Sequence, residues 1–321
     1  DDSNYNVGIG NYCMEAAMDG AVDNTALGYN ALTSLTTGDS NVSIGKNSLR
    51  DVSGGSANVA IGLNAGMQQT TGSGSVIIGY IAGQVDSSSA NVIVGSGAFV
   101  SSNNASSGSN VILGYEAAGS INSANSTDNV ILGRGAGSGG GAEFTENIAI
   151  GSNALNSTAA NATTGIVAIG HNALTALTSG SQNIAIGYTA GDALTTGANN
   201  IALGYNCLGA TDDGARNIAI GAASLNANCA DDNVALGYAA LNVCTGSQNI
   251  AIGSNSGSAI TSGGNNVGVG YNSLDATDDG ARNVAMGTFA LSANCADDNT
   301  AIGYYALSAC TGANNVAVGK V

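Results

Sequence analysis

The residues of this sequence with the greatest capacity for covalent chemistry are its six cysteines. Cys229 and Cys244 fall in neighbouring copies of a repeated segment, and Cys295 and Cys310 reproduce the pair further along the chain at the same spacing. Neighbouring β-coils bring backbones within the Cα separation of about 4.4–6.8 Å that a disulfide requires. The spacing predicts the disulfides Cys229–Cys244 and Cys295–Cys310. Free thiols are the alternative. Counted from the preceding leucine, the two cysteines of a pair differ in position by one residue, and this offset could spoil the disulfide geometry.

Paired aspartates form a second group with chemical potential, since carboxylate oxygens are ligands for calcium. The pairs are Asp212/Asp213, Asp231/Asp232, Asp278/Asp279 and Asp297/Asp298. The glycine- and aspartate-rich nonapeptide of calcium-binding β-rolls is absent. The sequence therefore favours solvated loop carboxylates, with calcium ligation as the alternative. A zinc site is not expected, because the chain has no CxxC motif and a single histidine.

Tyrosines form the third group, because exposed tyrosine rows can bind sugars or partner surfaces. The same rows could instead pack against neighbouring coils or chains. The four that recur at every second repeat copy are Tyr205, Tyr238, Tyr271 and Tyr304. His171 occupies the same repeat position, but a catalytic triad would need an oriented serine and an acid beside it. The six basic residues are scattered, and we expect neither enzymatic activity nor a cofactor.

Composition excludes several classes of protein. Hydrophobic residues make up 44% of the chain and charged residues only 9%, which is unlike a disordered protein. The net charge of −16 and the lack of basic stripes exclude nucleic-acid binding. No run of about 18 apolar residues is present, so membrane insertion is not expected.

Nineteen copies of the pattern N-[VIT]-x-[ILVM]-G run through the chain at steps that vary from 16 to 19 and are most often 17; Ser75 and Ile166 replace the asparagine in two of them. Stacked asparagines could hydrogen-bond from copy to copy, or each could bond its own backbone in a turn. Representative asparagines are Asn41, Asn58, Asn183, Asn200, Asn217 and Asn249. Representative glycines are Gly45, Gly62, Gly187, Gly204, Gly221 and Gly253.

Each copy is a short β-branched strand followed by a bend, a small residue, an apolar residue and a variable polar loop. One copy cannot bury its apolar residues, whereas stacked copies can. The sequence therefore predicts an all-β protein, a parallel β-solenoid (β-roll) of about 19 coils with a period of about 17 residues. Residues 1–321 form a single repeat region with three sub-blocks. Regular coils occupy 1–71, Ile-rich coils with long loops 72–165, and regular coils with a 66-residue super-repeat 166–321.

Alternation along a strand predicts how the solenoid would pack. Val59 and Ile61 share one face of a strand, and Ala60 shares the other with Gly62. We expect the small Ala/Gly face to lie outside the coil, where identical chains would cover it in a homo-oligomer. Isoleucine replaces alanine in the 72–165 block, which predicts a wider oligomer core, a local bulge or simply a drift in repeat type. Open strand edges at both ends would allow an end-to-end filament.

The segments NVAIGLNA at 58–65 and NIAIGSNA at 147–154 resemble the head repeats of trimeric autotransporter adhesins. The longer segments NTALGYNALTSLTTGDSN at 24–41 and NIAIGYTAGDALTTGANN at 183–200 resemble the repeat shafts of bacteriophage tail fibres and related virion fibres. The resemblance implies a trimeric, rigid fibre shaft that acts in attachment, on a virion or outside the cell. The alternative is a bacterial adhesin head that binds host matrix or glycan, and a third hypothesis is an ice- or mineral-binding solenoid. None of these patterns identifies the receptor.

Overall fold

A computed structural model describes residues 4–85, 88–100, 108–121, 126–139, 144–156 and 163–320. The chain forms two compact units, Asp1–Ile166 and Val167–Val321. The boundary coincides with the start of the third sequence sub-block. All regular secondary structure in the described residues is β-strand. Parts of the long loops predicted for the 72–165 block lie outside the described residues.

The first unit contains nine strands of three residues and two of two residues. They are β1 (Val7–Ile9), β2 (Thr25–Leu27), β3 (Val42–Ile44), β4 (Val59–Ile61), β5 (Val76–Ile78), β6 (Val92–Val94), β7 (Val111–Leu113), β8 (Val130–Leu132), β9 (Phe144–Thr145), β10 (Ile148–Ile150) and β11 (Thr163–Thr164). Strands β1 to β8 pair in parallel in chain order, and β8 pairs with β10. The short strands β9 and β11 form a separate parallel pair.

The second unit contains ten three-residue strands. They are β12 (Val167–Ile169), β13 (Ile184–Ile186), β14 (Ile201–Leu203), β15 (Ile218–Ile220), β16 (Val234–Leu236), β17 (Ile250–Ile252), β18 (Val267–Val269), β19 (Val284–Met286), β20 (Thr300–Ile302) and β21 (Val316–Val318). Each pairs in parallel with the next in the chain.

The register places equivalent repeat residues side by side, as in Val59 beside Val76 and Ile184 beside Ile201. This confirms the parallel β-solenoid. The 19 predicted repeats correspond to the nine strands of the main ladder in the first unit and the ten in the second. The chain completes about 17 turns of the solenoid, slightly fewer than the predicted 19 coils.

The predicted assignment of the two strand faces was wrong. Ala60 is fully buried inside the coil, whereas Val59 and Ile61 point outward and are partly exposed. The same buried middle residue occurs in every three-residue strand except the end strands β1 and β21. The reason is the bends that close the coil, which turn the middle residue of each strand inward. A Cβ built on Gly268 would lie only 2.7 Å from the Ser256 hydroxyl, so the neighbouring coil leaves little space beside the middle residue of this strand.

The leucine that follows the bend supplies the larger part of the core, from an unusual backbone conformation. Leu208 and Leu225 are fully buried with φ of 51° and 47°. Left-handed φ is uncommon for a bulky residue but costs nothing to glycine. This explains why leucine alternates with glycine at this position, as at Gly83 and Gly137 with φ of 50° and 57°.

In the coils of Ile77 and Ile131, core volume is exchanged between two positions. Ile77 and Ile131 are fully buried where other coils carry alanine. A Cβ on Gly83 would lie 3.1–3.4 Å from isoleucine methyls, and one on Gly137 would lie 3.0 Å from Ile131 Cδ1. The isoleucine therefore occupies the space that the bend leucine fills elsewhere. Its side chain lies inside the coil and does not widen an oligomer core.

The repeat asparagines, each of which directly precedes a strand, form a buried ladder from coil to coil. Asn200 Oδ1 accepts the backbone N–H of Asn217 at 2.9 Å, and Asn200 Nδ2 donates to Asn183 Oδ1 at 3.1 Å and to Gly214 O at 2.8 Å. The same pattern joins Asn41 and Asn58 in the first unit. Most of these amides thus tie one coil to both of its neighbours, whereas Nδ2 of Asn217 and of Asn283 has no hydrogen-bond partner among the described residues.

Candidate interaction face

The outward side chains of each coil form a strip three residues wide, which we call the apolar face. It consists of the first and third residues of each strand and the residue two positions further on, for example Ile184, Ile186 and Tyr188. The first and third side chains of a strand point to the same side, the third column follows the bend glycine, and parallel stacking extends the strip along each unit. The most exposed aliphatic members are Val7, Ile9, Leu27, Leu63, Ile186, Ile250, Ile252, Met286, Ile302, Val316 and Val318.

Acidic residues are segregated from the apolar face. None of the 22 acidic residues occupies a position on it, although the net charge of the chain is −16. Three basic residues stand on it, namely Lys46, Arg134 and Lys320. The other three bind carboxylates elsewhere, as Arg50 does with Asp51 at 2.7 Å. Monomeric soluble proteins rarely expose an extended apolar patch, and such patches mark sites of interaction. We therefore interpret this face, which carries no acidic residue, as a candidate interaction surface.

The four tyrosines singled out in the sequence form the aromatic column of the apolar face in the second unit. Their exposed fractions are 60% for Tyr205, 62% for Tyr238, 50% for Tyr271 and 48% for Tyr304. They alternate with small residues, so their rings are not buried under neighbouring coils.

Where aromatic residues occupy consecutive coils, their rings stack. The His171 and Tyr188 centroids are 5.0 Å apart, and those of Tyr188 and Tyr205 are 5.7 Å apart. Sequence reasoning missed a second aromatic group, in which Phe289 stacks on Tyr305 at 4.8 Å. Its signal was an aromatic residue at the position after the tyrosine site, where asparagine is common.

The paired aspartates are engaged by arginine in two of the four pairs. Arg216 Nε lies 2.6 Å from Asp232 Oδ1, and its Nη2 lies 2.7 Å from Asp231 Oδ2. This contact lowers the pKa of Asp232. Arg282 binds Asp297 and Asp298 in the same way. These exposed clamps join neighbouring coils.

The other two aspartate pairs lie on exposed loops. Asp212 and Asp213 are exposed, and so are Asp278 and Asp279. Thr195 donates a hydrogen bond to Asp212, and a threonine bonds Asp278 in the same way. Among the described residues, no group of three or more metal-ligating side chains comes together. The structure therefore does not assemble the eight candidate calcium ligands into a site, because they are distributed over arginine clamps and separate loops.

All six cysteines lie in the described part of the chain, and each is a free thiol. Cys207 is buried in the small position after the glycine, and burial raises its pKa to about 12. Cys229 and Cys244 are also buried, and burial raises the pKa of each to about 11. The structure thus places both predicted disulfide pairs in neighbouring coils as thiols.

The chain matches no protein-family model, and no curated protein is significantly similar to it. The described residues contain no helix that is long and apolar enough to cross a membrane. The first unit has a surface cleft lined by Ile81, Val100, Glu116 and Ser138, among others. This cleft offers one carboxylate and no pair of catalytic groups, so the apolar face is the feature from which a function can be inferred.

Proposed function

We propose that the protein is a structural segment of an extracellular or virion fibre whose identical chains associate through the apolar face. The single observation that carries this proposal is the segregation of acidic residues. Every acidic residue in the described part of the chain lies off a face that is mainly aliphatic and aromatic in each unit. Similarly charged chains repel one another, and this face is the surface on which two copies meet without opposing carboxylates.

The energetics favour association of copies along the face. Burial of a side chain such as Ile186, of which 40% is exposed, contributes about 1 kcal/mol at about 25 cal/mol per Å². The contribution recurs in each coil, so the sum over a unit reaches about 10 kcal/mol or more before the entropic cost of association is subtracted. The resemblance to trimeric fibre repeats supports three copies around an axis along the face.

The aromatic column supports a second candidate, attachment to a glycan or protein receptor as in a bacterial adhesin. Tyr205, Tyr238, Tyr271 and Tyr304 lie on one border of the apolar face. Rings at that border would remain accessible at the rim of an oligomer. Exposed tyrosines with an apolar ring and a polar hydroxyl are common at recognition surfaces.

The test is the solution mass of the chain, measured by light scattering during size-exclusion chromatography. We expect three times the 31.0 kDa mass of one chain. The triple variant I186E/I220E/I252E introduces carboxylates on the apolar face and should elute as a folded monomer. The variant T196E adds a carboxylate on an exposed loop and should remain trimeric. A monomeric wild-type chain would refute the proposal.

A further inference from the structure

The most distinctive side-chain cluster outside the apolar face is a buried group of two cysteines, a threonine and an asparagine. Cys229 Sγ lies 3.1 Å from Thr211 Oγ1, and Asn249 Nδ2 donates to Cys244 Sγ at 3.4 Å. Neither the fold nor the proposed fibre assembly requires thiols at these positions. Leucine and isoleucine fill the corresponding corner in other coils, as at Leu194.

The two sulfur atoms of this cluster belong to adjacent coils. Cys244 Sγ donates to Gly246 O at 3.7 Å, and the same carbonyl accepts Nδ2 of Asn233 at 2.9 Å. Asn233 Nδ2 also donates to Ala230 O at 3.0 Å, the carbonyl of the residue after Cys229. This shared amide brings the chain segments that carry Cys229 and Cys244 together at one corner of adjacent coils.

The cluster is built twice. Cys295 Sγ lies 3.1 Å from Thr277 Oγ1, and Asn315 Nδ2 donates to Cys310 Sγ at 3.2 Å. Every member is the counterpart, one super-repeat further along the chain, of a member of the first cluster. Cys13 has no cysteine in a neighbouring coil, and Cys207 lies three residues after its repeat glycine whereas Cys229, in the next coil, lies eight residues after its own. Cys207 and Cys229 therefore stand at different positions around the coil, and Cys13 and Cys207 serve as internal controls.

We propose that each cluster is an oxidation site, at which Cys229 joins Cys244 and Cys295 joins Cys310 in disulfides that tie adjacent coils together. The oxidant is a low-molecular-weight disulfide such as oxidised glutathione. One cysteine thiolate attacks it, forms a mixed disulfide and releases one thiol. The second cysteine thiolate then displaces the other thiol. The two protein hydrogens end on the two released thiols, so atoms and electrons balance.

Burial determines when this exchange proceeds. The thiolate is the attacking species, and the folded coil holds Cys229 and Cys244 in the neutral thiol form. Oxidation is therefore fast while the coils are still open during folding, and slow once they have closed. This inference does not depend on the oligomeric state, and its failure would leave the proposed fibre function unaffected.

The experiment uses the full chain, refolded from denaturant in a mixture of oxidised and reduced glutathione. The protein is then alkylated under denaturing conditions and digested with trypsin without reduction. Cleavage after Arg216, Arg282 and Lys320 places each pair alone in one peptide, 217–282 or 283–320. Both peptides should be unalkylated and lighter by two hydrogens. The peptides that contain Cys13 and Cys207 should be alkylated, so the count of free thiols falls from six to two.

A matched variant tests whether the structure directs the pairing. In C244S, Cys229 should become alkylated, while peptide 283–320 should keep its disulfide and remain unalkylated. The proposal is overturned if all four cysteines are alkylated in the wild-type chain. It is equally overturned if Cys229 in C244S links to another cysteine as efficiently as it linked to Cys244, because the pairing would then owe nothing to the cluster.

Discussion

Removal of one amide from the asparagine ladder should destabilise the second unit severely. Asn200 is 1% exposed, and N200A deletes the acceptor of the Asn217 N–H and the donor to Gly214 O. Both groups then remain buried without a partner, at a cost of about 1–3 kcal/mol each, so we expect a total loss of about 2–6 kcal/mol. Asn183 Oδ1 keeps the backbone N–H of residue 200 and adds little to this loss.

The control for N200A is its neighbour in the chain. Asn199 is exposed and has a left-handed φ of 61°, so N199G should change stability by only a few tenths of a kcal/mol. Urea unfolding followed by circular dichroism measures the global effect. Hydrogen exchange at the Asn217 amide measures the local one, because solenoid coils interact mainly with their neighbours.

The reasoning about the ladder fails if N200A and N199G unfold at the same urea concentration. It also fails if the Asn217 amide keeps its wild-type exchange rate in N200A. Either result would mean that the side-chain ladder follows from the stacking of coils and does not stabilise it.

Three further predictions concern the core and the coil backbone. G237A should lower the free energy of unfolding by at least about 3 kcal/mol, because φ is +138° and the new Cβ would lie 2.5 Å from Gly253 O. The control G74A, at φ +70° with no atom within 4 Å of the new Cβ, should lower it by about 1 kcal/mol. Urea unfolding measures both. I77A should cost about 2–5 kcal/mol by the same assay, since Ile77 is fully buried, and a loss below about 1 kcal/mol would contradict the volume exchange. Stability should fall between about pH 9 and pH 12, because the raised pKa of Cys207 keeps its thiol neutral in the folded state while the unfolded thiol ionises. Urea unfolding at pH 8 and at pH 11 measures the loss in the free energy of unfolding, which should be up to about 1.4 kcal/mol per pH unit. The variant C207S should lack this contribution.

Strand positions could be predicted from the sequence because each repeat marks both ends of its strand with a specific residue type. The asparagine before the strand and the glycine after it occupy sites that few other residues can fill. Gly237 must adopt a left-handed φ with no room for a Cβ, and the asparagine must bond two neighbouring coils. Because these requirements recur once in every coil, the same residue types recur at a fixed spacing in the sequence. The parallel ladder and its register could therefore be predicted from the sequence.

The candidate site was only partly predictable. The exposed tyrosines and the neighbouring cysteines were visible as spacings, because each position follows from the repeat. The arginine clamps were not, since Arg216 reaches Asp231 and Asp232 in the next coil rather than the aspartates of its own loop. Long, flexible side chains select partners from several that the spacing allows, and only the packed coil decides among them.

The repeat alone determined that the chain would stack in parallel coils, but the tertiary structure decided which side of each strand faces inward. A three-residue strand such as Val59–Ile61 is apolar on both sides, so alternation separates the faces without ranking them. The middle residue faces inward whether it is Ala60 or Ile77, so the bends that close the coil, and not the size of the side chain, assign the two sides. The first and third residues of each strand therefore point outward and create the apolar face.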